Sequence, residues 1–451
     1  MTDHATRVIV LDVVGLQPDH VTEATAPNLT GVLEGVNALK PPFPALTVPV
    51  QTTLTTGQSP GEHGDVSSGE YDRETDEAAF WERDRADRHR LWETARTAGT
   101  TTGALFFQHL IGTDADIAVT PSPIEDEDNN LLEMDCWTNP DDLYETLRAE
   151  YGHFPLHRYW GPAADEHSSR WILDAASEAI DRVDPDLLWV YVPHLDYAGL
   201  RHGPGEELQA AVSTIDDCLG EFLDVLRASK RWNETVVNVV SEYGFHDVDT
   251  PVFPNRALRE NGLLAVTDDG KGTAVDVPNS AAFAMVDHQV AHVYVDDRSP
   301  AVRRTLESLD GVETVLGKVG QAERNIDHPN TGDFVLVAEP DAWFQYYWWD
   351  DPEDAPPYAT DMDIHAKPGF DPCELFGGTE GLVSLDPTKV GGSHGRSDVY
   401  GVYGLGGPMA PETSADGVVD ARAVAPTITE LLGITDSIPM SFSHPPVTEC
   451  E

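Results

Sequence analysis

Residues 7–14 read RVIVLDVV and are followed by Gly15. The run is apolar and β-branched, broken by a single carboxylate at Asp12. Such a run without polar alternation suits a strand buried on both faces, as in parallel sheets. Similar runs recur at residues 102–107, 187–192 and 235–241. Helical patterns lie between them. The clearest is 206–226, where Leu208, Val212, Ile215, Leu219 and Phe222 fall at alternating spacings of four and three. Residues 90–97, 140–149, 168–183 and 424–432 carry the same kind of pattern. Strands alternating with helices predict an α/β fold with a mostly parallel sheet covered on both faces.

Two stretches interrupt this rhythm. Residues 62–87 are polar and charged and read as loop. From 262 to about 386, short strand patterns mix with one helix pattern (300–309) and an aromatic, proline-rich segment at 341–357. That composition suits an insertion or cap over a site. With no internal repeat and no low-complexity linker, the chain reads as one α/β domain, 1–451, with an inserted cap at about 262–386.

The 451 residues hold 28 Lys plus Arg against 79 Asp plus Glu, a formal charge of −51. Only six of the cations are Lys. A polyanion of this density does not bind nucleic acid by phosphate neutralisation, nor an anionic membrane surface. The charge is spread along the whole chain, so it reads as adaptation to molar salt, where the Debye length falls to about 3 Å. Residues 1–6 are polar and lead straight into the first apolar run, without a targeting segment. Cys136, Cys218, Cys373 and Cys450 are far apart and form no CxxC pair. The expectation is a cytoplasmic protein that takes a small-molecule partner; the oligomeric state is not legible.

In open α/β sheets, sites form beyond the carboxyl ends of strands. Asp12 ends the first run, Glu242 follows the run at 235–241, and Asp196 follows the run at 187–192. Three carboxylates gathered there are costly to bury unless a cation sits among them. Then comes Pro44-Ala45-Leu46-Thr47-Val48-Pro49, trailed by Thr56-Gly57, Pro60, His63 and Gly64. Ser241-Glu242-Tyr243-Gly244, Gly392-Ser393-His394-Gly395 and Ala425-Pro426-Thr427-Ile428 complete the set.

In this order, the motifs resemble the alkaline phosphatase superfamily, specifically its nucleotide pyrophosphatase/phosphodiesterase family, over nearly the whole chain. The resemblance implies a three-layer α/β sandwich with a mostly parallel central sheet and an inserted cap. It implies Thr47 as a nucleophile and covalent phospho-carrier, and two divalent metal ions (Zn²⁺ or Mn²⁺, with Mg²⁺ the other candidate) held by Asp12, Thr47, Asp196, Glu242 and His394. It implies a phosphodiester or nucleotide pyrophosphate as substrate. A phosphomonoesterase or phosphomutase on the same fold, and a binding protein that has lost a metal, stay open. A sulfatase is disfavoured, because no Cys or Ser in the required context surrounds position 47.

The chain departs from the family pattern at three points. Glu242-Tyr243 stands where Asp-His is usual, Leu200 stands where the Asp-x-x-x-His imidazole is expected, and Val50 replaces an Asn. Tyr243 is a candidate ligand or hydrogen-bonding group, and Gln51 a candidate replacement for the Asn. For the missing imidazole, Asp363 and His365 are the favoured ligands, two apart and so facing one side of an extended segment. Lys367 would then point at the phosphate, and His202 is the rival ligand. The chain also resembles a branch of the superfamily that combines P-H-L-D-Y, S-E-Y-G, D-H-Q-x-A-H and D-I-H-x-K-P-G, here 193–197, 241–244, 287–292 and 363–369. Asp287, His288 and His292 are candidates to bind the metal or to support its ligands, with a structural role the favoured reading. The aromatic run 343–349 is expected to be core of the insertion rather than a stacking platform.

Overall fold

The structure, a computed structural model, describes residues 4–75, 77–80, 89–126, 131–268, 273–296, 300–362, 366–379, 381–412 and 417–447. Its centre is a nine-stranded sheet. In chain order the strands are β1 (Arg7–Val13), β2 (Asn37–Lys40), β3 (Thr102–Leu105), β4 (Ile117–Pro121), β5 (Cys136–Asn139), β6 (Leu187–Val192) and β7 (Thr235–Val240). Four strands build a second sheet: β8 (Ala282–Asp287), β9 (Val290–Val295), β10 (Val312–Leu316) and β11 (Phe334–Ala338). β12 (Gly401–Gly406) and β13 (Val418–Asp420) then return to the first.

The main sheet runs β13-β2-β12-β7-β1-β6-β3-β4-β5. Its inner five strands, β7 to β4, are parallel, and antiparallel pairs flank them. The four apolar runs singled out in the sequence are β1, β3, β6 and β7. Every residue of β1, β6 and β7 is buried, which is why these strands carry no polar alternation. Parallel register puts Asp12 level with Tyr191 of β6 and Val240 of β7, so the carboxyl ends of all three strands open on one edge.

Five helices flank the carboxyl edge of the sheet or brace the elements that do: α1 (Thr47–Thr56), α2 (Glu166–Arg182), α3 (His194–His202), α4 (Glu206–Ala228) and α5 (Val424–Leu431). α2, α3 and α4 pack on one another, as do α1 and α5. Asp165 caps α2 by accepting the His167 N–H at 3.1 Å. In α4 the five periodic apolar residues are all buried and the acidic residues between them face out, except Asp216. Asp216 is held by the N–H groups of Asn28 and Leu29, at 2.8 and 2.9 Å. Among the described residues, no helix is long and apolar enough to cross a membrane.

The second sheet, β8-β9-β11-β10, is antiparallel. The aromatic run from Trp343 to Trp349 is buried beside it. Tyr347 and Trp349 stack at 4.4 Å, and the Arg259 guanidinium sits 4.9 Å over Trp348. The run is therefore packing, not an open face for a ligand.

The polar stretch 62–87 differs from its reading as loop. Gly69–Asp72 pairs antiparallel with Glu77–Phe80, and residues 63–69 are buried. The polar side chains go inside because Asp287 of β8 accepts the Ser68 N–H at 2.9 Å and the Ser67 hydroxyl at 3.1 Å. Tyr71 packs against Phe283 and Tyr294, each 4.9 Å away.

Candidate active site

The first half of the site is made of carboxylates at strand ends. Asp12 is buried near the end of β1, and Glu242 is buried two residues beyond β7. Gln51 of α1 donates from Nε2 to Glu242 Oε1 at 2.9 Å, and its side-chain carbonyl accepts the Gln108 N–H at 2.8 Å. Both Asp12 oxygens and Glu242 Oε2 are buried with no hydrogen-bond partner. Burial pushes the Asp12 carboxyl upward; burial and then the neighbouring Asp12 charge push Glu242 upward as well. Two acids cannot both stay charged in such a place without a cation.

Thr47 opens α1. It is the first helical residue, not the cap, which is Leu46. Leu46 offers no side-chain cap, and Pro49 has no N–H, so the N–H groups of Thr47 and Val48 face the site end of the helix unclaimed by capping. A helix start of this kind suits an anion. Thr47 Oγ1 lies 2.8 Å from the Tyr243 hydroxyl.

Tyr243 links this half to the second. Its hydroxyl donates to Asp196 Oδ1 at 3.3 Å, and its ring stacks on His394 at 3.7 Å, 11° from parallel. Burial, followed by the charges of Asp196 and Glu242, raises the Tyr243 phenol far above its usual range, so it stays protonated. Asp196 lies in the first turn of α3, and burial pushes it up to about 6. His394 Nε2 is 3.5 Å from Asp196 Oδ1. His394 Nδ1 lies 2.9 Å from the Ala45 carbonyl and donates to it, which leaves the Nε2 lone pair turned into the site. That Nε2 has no hydrogen-bond partner, and burial holds the imidazole neutral.

Orphaned carboxylate oxygens in one half and an orphaned imidazole nitrogen beside a carboxylate in the other are a donor set for divalent cations. Comparison with known proteins gives the family. The sequence profile described as "Type I phosphodiesterase / nucleotide pyrophosphatase" matches residues 8–371. The chain belongs to this family. It is 24% identical over 257 residues to an uncharacterised pyrophosphatase/phosphodiesterase of Schizosaccharomyces pombe, covering 56% of this chain and 46% of that one. It is 25% identical over 347 residues to ectonucleotide pyrophosphatase/phosphodiesterase 1 of Saccharomyces cerevisiae, covering 65% and 43%. The chain thus spans less than half the length of these curated relatives. Among solved structures, murine ectonucleotide pyrophosphatase/phosphodiesterase 5 superposes with a TM-score of 0.62 at 18% identity, 97% of each chain covered. The phosphonoacetate hydrolase of Sinorhizobium meliloti superposes with a TM-score of 0.59 at 15% identity, covering 94% of this chain and 95% of that one. These likenesses show the alkaline phosphatase-like α/β fold.

Within this phosphodiesterase family fold, Asp12, Thr47, Glu242, Tyr243, Asp196 and His394 come together. Gln51 touches this group: one Nε2 proton goes to Glu242 and its carbonyl accepts the Gln108 N–H, which leaves the second Nε2 proton uncommitted. Other sequence candidates do not join it. Lys367 does not point at a phosphate. Its ammonium is buried between Asp371, at 3.1 Å, and Glu374, and also donates to the Asp361 carbonyl at 3.0 Å. Burial alone would lower its pKa, but the two acids outweigh burial and raise it. His202 is exposed at the far end of α3, six residues and so about 9 Å of helix rise from Asp196. Leu200 is fully buried and apolar. Asp363 and His365 lie outside the described residues.

His288, for which the sequence favours a structural role over one at the metal site, stands beside the site. Its ring lies 3.8 Å from that of His394. The overlooked signal was its place in a two-residue turn between two β-branched strand patterns, where Gly or Asn is the ordinary choice.

Proposed function

We propose that this chain is a metal-dependent hydrolase of phosphodiester or nucleotide pyrophosphate bonds that works through a phospho-threonine at Thr47. The observation that carries the reading is the position of the Thr47 hydroxyl. It sits at a helix start, between a half-site of orphaned carboxylates and a carboxylate–imidazole pair. Two divalent cations, Zn²⁺, Mn²⁺ or Mg²⁺, held by Asp12, Glu242 and Thr47 and by Asp196 and His394, would supply the charge that lowers hydroxyl and water pKa values and neutralises the phosphoryl oxygens.

The chain's own groups divide the work. The N–H groups of Thr47 and Val48 orient the phosphoryl group. Thr47 Oγ1 attacks phosphorus, and the bond from phosphorus to the departing alcohol or nucleoside phosphate breaks. The Thr47 proton has a hydrogen-bonded path to the Tyr243 hydroxyl and from it to Asp196. Water next attacks the phosphorus on Thr47, which releases the monoester and restores the hydroxyl. A nucleotide is the favoured substrate class. Murine ectonucleotide pyrophosphatase/phosphodiesterase 5, in an inactive variant, has been solved in complex with AMP. The second sheet and its surroundings, about 262–386, act as the cap in this reading, in a cytoplasmic enzyme without nucleic-acid or membrane partners.

The test is turnover of bis-p-nitrophenyl phosphate against p-nitrophenyl phosphate, in molar salt, with and without chelator. Faster hydrolysis of the diester, lost on chelation and restored by a divalent metal, supports the reading. Absence of diester and dinucleotide turnover with all three metals overturns it.

The charge of −51 is read as adaptation to molar salt. Thermal melting should rise steeply between low and molar salt. An unchanged melting temperature would remove this part of the proposal.

A further inference from the structure

His288 and Gln289 form the turn between β8 and β9. His288 is held at φ +58°, a left-handed conformation uncommon for a residue with a side chain. Two hydrogen bonds fix it there: the Phe344 N–H donates to the His288 carbonyl, and the Gln289 N–H donates to the His394 carbonyl, both at 2.8 Å. The turn is thus tied directly to the backbone of a site residue. Backbone strain that is pinned in this way often marks a functional position.

The side chain is buried, and its Nε2 has no hydrogen-bond partner. Its Nδ1 lies 2.9 Å from Asp287 Oδ1. Asp287 in turn is held by Ser68 and Ser67 through its other oxygen, so the carboxylate cannot swing away. Nδ1–H donated to a fixed carboxylate leaves the Nε2 lone pair free, which is the arrangement that orients imidazole toward a metal. The ring stacks on Phe370 at 3.9 Å and faces His394 at 3.8 Å, tilted 34°. Stacking on Phe370 accounts for the place of the ring but not for a buried nitrogen left without a partner.

We propose that His288 Nε2 is the third protein ligand of the cation held by Asp196 and His394, supplying the imidazole that Leu200 cannot. This rests on the proposed function, in which a cation occupies that half of the site. A tight site with an open position needs about three protein ligands. The three ligand atoms do not all lie within 4.8 Å of one another; among the described residues only Asp165, Glu166 and His167 do, in the capped first turn of α2. A cation there would need these three side chains to close on it. Asp287 acts as a positioning residue.

The experiment counts metal. Wild type, His288→Asn, His365→Ala and His202→Ala are stripped with chelator in molar salt, reloaded with Co²⁺, desalted and assayed for cobalt per chain and for the visible Co²⁺ spectrum. Asn tolerates the left-handed turn, so the backbone can be kept. The expected result is two equivalents in wild type, His365→Ala and His202→Ala, and one in His288→Asn with a changed spectrum. Two equivalents and an unchanged spectrum in His288→Asn overturn the proposal, as does loss of an equivalent in His365→Ala instead. Wild type that binds no metal overturns the cation reading itself, a distinct result. Should His288→Asn fail to fold, Asp287→Asn reads the same link. One equivalent bound about 10–100-fold more weakly supports the assignment, and unchanged affinity overturns it.

Discussion

The carboxylate half of the site takes Asp12 and Glu242 from the ends of adjacent parallel strands, whereas the imidazole half takes Asp196, His394 and His288 from three segments and both sheets. In the first, register alone does the work: Asp12 is paired with Val240, and Glu242 comes two residues later. In the second, α3 brings Asp196, a short bridge between Ala45 and Gly395 brings His394, and the β8–β9 turn brings His288. A site half set by one sheet is rigid and readable from local motifs. A half assembled across two sheets depends on how those sheets meet, and it can change its ligands without changing the fold.

The comparison breaks most sharply at Thr47, which belongs to the carboxylate half by position and touches the other through Tyr243. Thr47→Ala should lower kcat/KM for a bis-aryl phosphodiester by at least about 10³-fold, while metal content stays near wild type. Thr47→Ser should keep part of the activity. Wild-type turnover in Thr47→Ala would remove the nucleophile assignment.

Acid should separate the halves next. His292 on β9 is fully buried beneath the His288 turn. Its Nε2 donates to the Val66 carbonyl, and its Nδ1 accepts the Gly332 N–H, at 3.1 and 3.2 Å, a pattern only the neutral ring can satisfy. Burial lowers its pKa to about 4, against the partial opposition of Asp287. The folded pKa is below the unfolded one near 6.5, so the unfolded chain binds more protons between these values. Stability from this group is complete above pH 6.5 and falls as pH drops toward 4, by about 3 kcal/mol in all. The melting temperature of wild type should therefore fall more steeply than that of His292→Gln across pH 6.5 to 4. Parallel curves would show that the second sheet does not carry this acid sensitivity.

A smaller effect concerns metal choice. Asp12, Glu242 and Thr47 offer oxygen only, while Asp196, His394 and His288 offer two imidazoles. Hard cations prefer the first set and zinc the second. Mixed loading with Mn²⁺ and Zn²⁺ should give protein carrying one of each, and Glu242→Gln should cost the manganese about tenfold more than the zinc. Equal loss of both would show that the two halves do not differ in ligand softness.

The sheet was legible in the sequence because β1, β3, β6 and β7 are buried on both faces, and burial on both faces writes itself as unbroken apolar runs. Asp12, Glu242 and Asp196 were legible because they lie at the ends of those runs. His288 was legible only as an unusual residue in a two-residue turn, which does not say whether its ring is aimed at a site or packed in the turn. Its meaning comes from Asp287, Ser67, Ser68 and His394, which only the fold brings near. Lys367 misled for the same reason: Asp371 and Glu374 lie four and seven residues on, yet burial with them, not charge alone, decides where an ammonium points. The hairpin at 69–80 was hidden because the polar residues before it go inside to satisfy a buried carboxylate.

The smallest expected effect sits where the halves join. The Tyr243 hydroxyl touches Thr47 and Asp196, and its ring covers His394. Tyr243→Phe keeps the stack and removes only the hydroxyl, so the loss is one neutral and one charge-assisted hydrogen bond. A neutral bond contributes about 1 kcal/mol and a bond to a charged group somewhat more. If the phenol only holds Thr47 in place, kcat should fall about tenfold with KM little changed and both metals retained. If it also carries the proton from Thr47 toward Asp196, the solvent isotope effect on kcat should shrink in the variant, because the relay is gone. Tyr243→His restores the imidazole usual in this family beside Glu242. It should pull the carboxylate half toward zinc and erase the difference in metal preference between the halves. A Tyr243→Phe enzyme with unchanged kcat and isotope effect would make the tyrosine a spacer between two independent half-sites, and the join between them would have to be sought at Ala45, whose carbonyl holds His394 and whose chain runs on into Thr47.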